Sequence, residues 1–148
     1  MYTMKISAPL VKALNNQIAM EANAVNSYLA AASWCEITGY DGSASFFYTQ
    51  AEEEHQHMLK IVNFLNGQGV GAVIPGTHQP SKTFKSLESI CKTALKNEQA
   101  VTKSINKMVD IAQKVFTSTK SFVSYVSPLT QNLTRDSRLK HNIRNMDK

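Results

Sequence analysis

The sequence predicts an all-α fold, a four-helix bundle with a long crossover between its second and third helices. Three stretches of the chain repeat apolar residues with a period of about 3.6, which places them on one face of an α-helix. A carboxylate interrupts each apolar stripe, at Glu21, Glu54 and Glu98. Burying an unpaired carboxylate costs roughly several kcal/mol, so three directed at one core indicate a cation between them. The leading hypothesis is therefore a metal site inside the bundle.

Length and composition fit a globular protein of one domain. The chain has 148 residues and no apolar run near the roughly 20 residues that span a bilayer. Its first residues lack the apolar core of a signal peptide. Cys35 and Cys91 lie in separate predicted helices and form no CxxC motif, which favours reduced thiols. We expect a cytoplasmic protein that does not contact membranes.

The first helix is expected to run from a cap at Ser7 to about Ile37. A serine hydroxyl caps a helix N-terminus well, and Pro9 is tolerated in the first turn. A turn signal, Gly39–Gly42, follows. The predicted inward stripe is Leu14, Ile18, Glu21, Val25, Leu29 and Ala32.

The second helix is expected to begin between Asp41 and Ser43 and to end at Asn66–Gly67. Its predicted inward stripe is Phe47, Ala51, Glu54, Met58, Ile61 and Leu65. His57 lies one turn after Glu54, so the two side chains share a face and can bind one ion. Carboxylate oxygens with one imidazole suit iron or manganese better than a soft metal.

The third helix follows a connection rich in glycine and proline. The segment from Gly67 to Lys85 is too long for a hairpin and fits a crossover along the bundle. Ser86 can cap the third helix, which is expected to run to about Gln113. Its predicted inward stripe is Leu87, Cys91, Leu95, Glu98, Val101, Ile105 and Met108.

The last quarter of the chain differs in composition from the rest. Residues 1–113 carry nine basic and nine acidic side chains, whereas residues 114–148 carry seven basic and two acidic ones, with no Glu. Pro128 and many Ser, Thr and Val residues disfavour a regular helix there. We expect helices one to three within 1–113, and a basic segment at 114–148 whose fourth helix is kinked, partial or disordered. A solvated end is favoured over a nucleic-acid-binding arm.

The chain resembles the non-haem ferritins, most closely the bacterial type, over residues 8–113. The resemblance is carried by the motifs LNNQIAME at Leu14–Glu21, SYL at Ser27–Leu29, Trp34-Cys35, AEEEHQHM at Ala51–Met58 and Asn97-Glu98-Gln99. It implies a ferritin-like bundle whose subunits assemble into a hollow 24-subunit homo-oligomeric shell. It also implies ferroxidase activity, in which dioxygen or peroxide oxidises Fe(II), and storage of Fe(III) mineral inside the shell.

The resemblance also implies roles for individual residues. Glu21, Glu54 and His57 would hold one iron. Glu54 would bridge to a second iron that Glu98 also binds, giving two irons per subunit. Tyr28 would be the tyrosine that the family places beside the centre, the alternative being a plain core tyrosine.

The resemblance implies roles for two further residues. Glu53 matches an accessory third iron site of bacterial ferritins, the alternative being a solvated position. Gln131 falls where the family has a glutamine ligand, but the acidic residues expected around it are replaced by Thr130, Asn132, Leu133 and Thr134. This departure keeps a second hypothesis open: an iron-binding subunit whose ferroxidase activity and assembly are impaired or absent.

Overall fold

The computed structural model describes residues 6–115, which form three helices and no strand. These are α1 (Ala8–Thr38), α2 (Asp41–Gly67) and α3 (Leu87–Val115). The all-helical class and the three predicted helices are therefore confirmed. The expected fourth helix and the candidate ligand Gln131 lie outside the described residues. None of the described helices is both long enough and apolar enough to cross a membrane.

The helix ends lie where the local chemistry predicts them. The Ser7 Oγ accepts a hydrogen bond from the Leu10 N–H at 3.4 Å, and the Ser86 Oγ accepts one from the Ser89 N–H at 3.1 Å. Gly39 ends α1 with a φ of 88°, a left-handed conformation that glycine adopts without a Cβ penalty. The short turn after it sends α2 back along α1.

The apolar core consists of two clusters, and each draws on all three helices. One cluster comprises Ile6, Leu10, Leu14, Ile18, Ile61, Leu65, Val101, Ile105, Met108 and Ala112. The other comprises Tyr28, Ala31, Ala32, Cys35, Ala44, Phe47, Ala51, Ile90, Cys91 and Ala94. On every helix the buried carboxylate falls between the two clusters along the chain: Glu21, Glu54 and Glu98. A polar layer therefore divides the core.

One predicted core position was wrong. Leu29 was placed on the inward stripe of α1, but it is 42% exposed, and its neighbour Tyr28 is buried instead. Two turns of helix take about 7.2 residues, so the position seven residues after Glu21 stays on its face, whereas the eighth rotates well away from it.

The crossover lies along α1 and is attached to it by asparagine side chains. The Asn15 Oδ1 accepts from the Val73 N–H at 2.9 Å, and the Asn23 Oδ1 accepts from the His78 N–H at 3.0 Å. The Asn26 Nδ2 donates to a side-chain oxygen of the same segment at 2.8 Å. The bonds from Val73 and His78 satisfy backbone donors that an extended segment cannot pair within itself.

Candidate metal centre

Three of the predicted site residues meet in the polar layer. Glu21 from α1 and the Glu54–His57 pair from α2 each offer a ligand atom, and these atoms lie within 4.8 Å of one another. Glu21 is 0% and Glu54 1% exposed, and the His57 side chain is 12% exposed. The burial of these carboxylates, predicted from the apolar stripes, is confirmed.

The spacing within α2 suits a shared ion better than a direct hydrogen bond. The His57 Nδ1 lies 3.6 Å from the Glu54 Oε2, which is too long for a hydrogen bond. Two atoms that bind one ion at about 2.1 Å each lie roughly 3 to 4 Å apart. The i, i+3 spacing on α2 therefore holds the imidazole and the carboxylate at a distance that one ion can bridge.

Glu98 joins the layer from α3 with a different partner. It is 4% exposed, and the Tyr28 O–H donates a hydrogen bond to its Oε1. The Tyr28 ring stacks on Phe47, with centroids 6.0 Å apart. Among the described residues, the close ligand group contains Glu21, Glu54 and His57 without Glu98. Tyr28 thus orients the Glu98 carboxylate beside that group.

The pKa of Glu21 reflects the burial and the negative charge of the site. Burial raises the pKa of Glu21 well above its ordinary value of 4.5, and the neighbouring carboxylates of Glu54 and Glu98 raise it further. A hydrogen bond from Gln17 acts in the opposite direction. Within residues 6–115, no Lys or Arg side chain lies within ion-pair distance of Glu21. A bound cation would remove the mutual repulsion of these carboxylates.

Gln17 is a site residue to which the sequence assigned no role. It is fully buried, and its Nε2 donates to the Glu21 Oε1 at 2.8 Å. A signal was available, because Gln17 lies four residues before Glu21 and hence on the same helix face. Gln99, next to Glu98 on α3, is exposed.

The accessory candidate Glu53 lies outside the close group. It is half-buried, next to Glu54 on α2, and accepts a hydrogen bond from the Gln50 Nε2 at 3.5 Å. Adjacent helical residues point about 100° apart, so Glu53 and Glu54 face different surroundings.

The polar atoms present fit a hard cation. Within residues 6–115, no hydrogen-bond partner reaches the buried oxygens Gln17 Oε1 and Glu21 Oε2. A buried polar atom without a partner costs free energy, and a cation bound beside these oxygens would provide the missing partner. Oxygen donors with one imidazole match iron or manganese. Tyr28 and Glu98 also border a cavity of about 140 Å³ between α1, α3 and the crossover.

Comparison with known proteins agrees with this arrangement. Residues 11–127 match the family of ferritin-like domains. The chain is 38% identical over 104 residues to a probable bacterial non-heme ferritin-like protein of Haemophilus influenzae, covering 70% of this chain and 63% of that protein. It is 37% identical over 105 residues to a bacterial non-heme ferritin of Campylobacter jejuni, covering 71% and 63%. It thus spans less than two thirds of the length of these relatives.

A solved structure extends the likeness to the fold. The structure of a ferritin from Chlorobium tepidum superposes with a TM-score of 0.87 at 27% identity, covering 95% of this chain and 85% of that one.

Proposed function

The chain belongs to the ferritin family, and we propose that it is an iron-storage subunit that binds Fe(II) at its buried carboxylates and oxidises it to Fe(III). The observation that carries the proposal is the meeting of Glu21, Glu54 and His57, from two helices, within 4.8 Å in a buried layer. The residues assigned to iron binding are Glu21, Glu54, His57 and Glu98. Two irons bind per subunit, and Glu54 bridges them.

The carboxylates favour oxidation through their charge. Buried anionic oxygens attract Fe(III) more strongly than Fe(II), because Coulomb attraction grows with the charge of the ion. The protein thus stabilises the oxidised product and makes electron loss easier. Two Fe(II) ions supply two electrons, which with two protons reduce one dioxygen to hydrogen peroxide; peroxide is the alternative oxidant.

The surrounding residues hold the ligands in place. The Tyr28 hydroxyl fixes one oxygen of Glu98, so this carboxylate is oriented before iron arrives. The cavity beside Tyr28 and Glu98 is large enough for a small oxidant. Glu53 and Gln131 stay candidates for accessory contacts. The Fe(III) product passes to a mineral inside a homo-oligomeric shell, of 24 subunits as in the family.

The proposal divides the chain in two. Residues 1–113 hold the assigned ligands other than Gln131 and all of the three described helices except the last two residues of α3, and the basic part of the sequence begins at residue 114.

A second function, iron binding without turnover, is favoured by two observations. Residues 114–148 contain no Glu to complete a second iron site. Among the described residues, Glu98 is not part of the close ligand group. In this alternative, the subunit binds one iron firmly and acts only in a mixed shell with complete subunits.

Oxygen uptake separates the two functions. Two Fe(II) per subunit are added to aerated protein in an oxygen electrode, and anaerobic calorimetry measures binding in parallel. Rapid uptake that is lost in Glu54→Gln and retained in Glu52→Gln, an exposed neighbour, supports ferroxidase activity. Binding without uptake supports the alternative. Absence of binding contradicts both.

A further inference from the structure

Gln17 is an unusual residue for its position. Its side chain is 0% exposed, and it lies on α1 between the buried residues Leu14 and Ile18. A leucine would fill such a position without burying an amide, which costs free energy unless its polar atoms are paired. The polar side chain therefore calls for an explanation beyond packing.

The hydrogen bond to Glu21 fixes the orientation of both groups. A carboxylate that binds a cation is ionised and only accepts hydrogen bonds, so the amide presents its Nε2 to the Glu21 Oε1, at 2.8 Å. The last torsion of a glutamate is otherwise broad, so this bond selects one setting of the carboxylate plane. Within residues 6–115, no donor reaches the other oxygen, the Glu21 Oε2.

We propose that Gln17 is a positioning residue that makes Glu21 a one-oxygen ligand of iron, by engaging Oε1 and presenting Oε2. The inference rests on the proposed function, because it concerns the same site. Without the amide, the Glu21 carboxylate can rotate and bind the ion through both oxygens or through neither. Gln17 thus controls the number of oxygens around the ion as well as its affinity.

The test uses Co(II), which does not turn over in air and whose visible absorption reports its coordination number. The variant is Gln17→Met, which keeps the unbranched shape and removes the donor. Its matched control is Gln56→Met, because the Gln56 Nε2 makes the same four-residue hydrogen bond at 2.8 Å, to Glu52, on the exposed face of α2. Gln17→Leu is a second variant in case the first fails to fold.

The expected result is a changed Co(II) spectrum and binding weakened by about 10- to 100-fold in Gln17→Met, with neither change in the control. An unchanged spectrum in both Gln17 variants overturns the inference, even if affinity falls, because packing alone would then account for the loss. Glu54→Gln is measured alongside. If it keeps Co(II) affinity, the proposed function fails; if it loses affinity while the Gln17 variants keep the spectrum, only the inference about Gln17 fails.

Discussion

Glu54 is the residue on which the site depends most. It is buried, it contributes to the ligand group together with Glu21 and His57, and it repels Glu21 when both are ionised. Its charge therefore favours metal binding and opposes folding of the metal-free protein.

Replacing Glu54 by Gln should separate these two effects. Metal affinity should fall by at least about 10- to 100-fold, as measured by anaerobic calorimetry with Fe(II). The free energy of unfolding of the metal-free protein should stay the same or rise by about 1–4 kcal/mol, because a buried charge is removed. Glu52→Gln, on the exposed face, should change neither quantity. A large loss of metal-free stability would contradict the placement of Glu54.

The raised pKa of Glu21 predicts how the stability of the metal-free protein depends on pH. The folded state holds its proton at pH values where the unfolded chain, with a pKa near 4.5, has released it. The stabilisation is fully present below the unfolded pKa and is lost as the pH rises through the folded one. Urea unfolding between about pH 5 and pH 8 should show stability falling with pH, and Glu21→Gln should flatten the slope. An unchanged slope in this variant would assign the effect to other groups.

At the scale of helices, α1 contacts both the polar layer and the crossover. One face carries Gln17, Glu21 and Tyr28 into the polar layer, and asparagines on another face hold the crossover. Positioning of the candidate ligands and of the long connection thus depends on the same helix.

Removing one crossover bond should loosen that segment without affecting the core. In Asn23→Ala the His78 N–H loses its acceptor, and net stability should fall by about 1 kcal/mol. Hydrogen exchange at the His78 amide should become faster, while exchange in the middle of α1 should not. Asn63→Ala, at an exposed position of α2, is the control. Equal exchange at His78 in the variant and the wild type would show that this bond does not hold the crossover.

The turn between α1 and α2 offers a matched pair of glycines. A Cβ at Gly39 or Gly42 would meet nothing within 4 Å, so only backbone conformation matters. Gly39→Ala should lower stability by about 1–2 kcal/mol, because an L residue is strained at a φ of 88°. Gly42→Ala, inside α2, should raise stability by about 0.4–1 kcal/mol. Thermal unfolding of both variants measures the difference, and a change of the same sign in both would contradict this account.

The helix boundaries were predictable because they depend on residues close by in the sequence. Contacts between residues far apart in the sequence were not predictable. Ser7, Gly39 and Ser86 act within a few residues of their own positions, so sequence placed the ends within two residues. The bond between Asn23 and His78 joins positions 55 residues apart and follows no periodic pattern. Sequence therefore predicted the existence of the crossover without predicting its attachment.

The candidate site was predictable to a similar extent. The carboxylates at Glu21, Glu54 and Glu98 stand out because each interrupts an apolar stripe. Periodicity gives the face of a residue but not its partner, so it indicated neither the bond from Gln17 to Glu21 nor that from Tyr28 to Glu98. Both bonds depend on side-chain orientation within the folded bundle.

At the scale of the whole molecule, the polar layer between two apolar clusters links three helices. An ion bound there stabilises the folded state by mass action, by about 2.7 kcal/mol at a free concentration of 100 times its Kd. Metal binding in this layer would therefore stabilise the bundle.

Anomalous diffraction at the iron absorption edge, from crystals of the full chain soaked anaerobically in Fe(II), would locate the bound metal. We expect a strong iron peak in contact with Glu21, Glu54 and His57, with a second, weaker peak on the Glu98 side. Iron bound only elsewhere, with these side chains turned away from one another, would contradict this expectation.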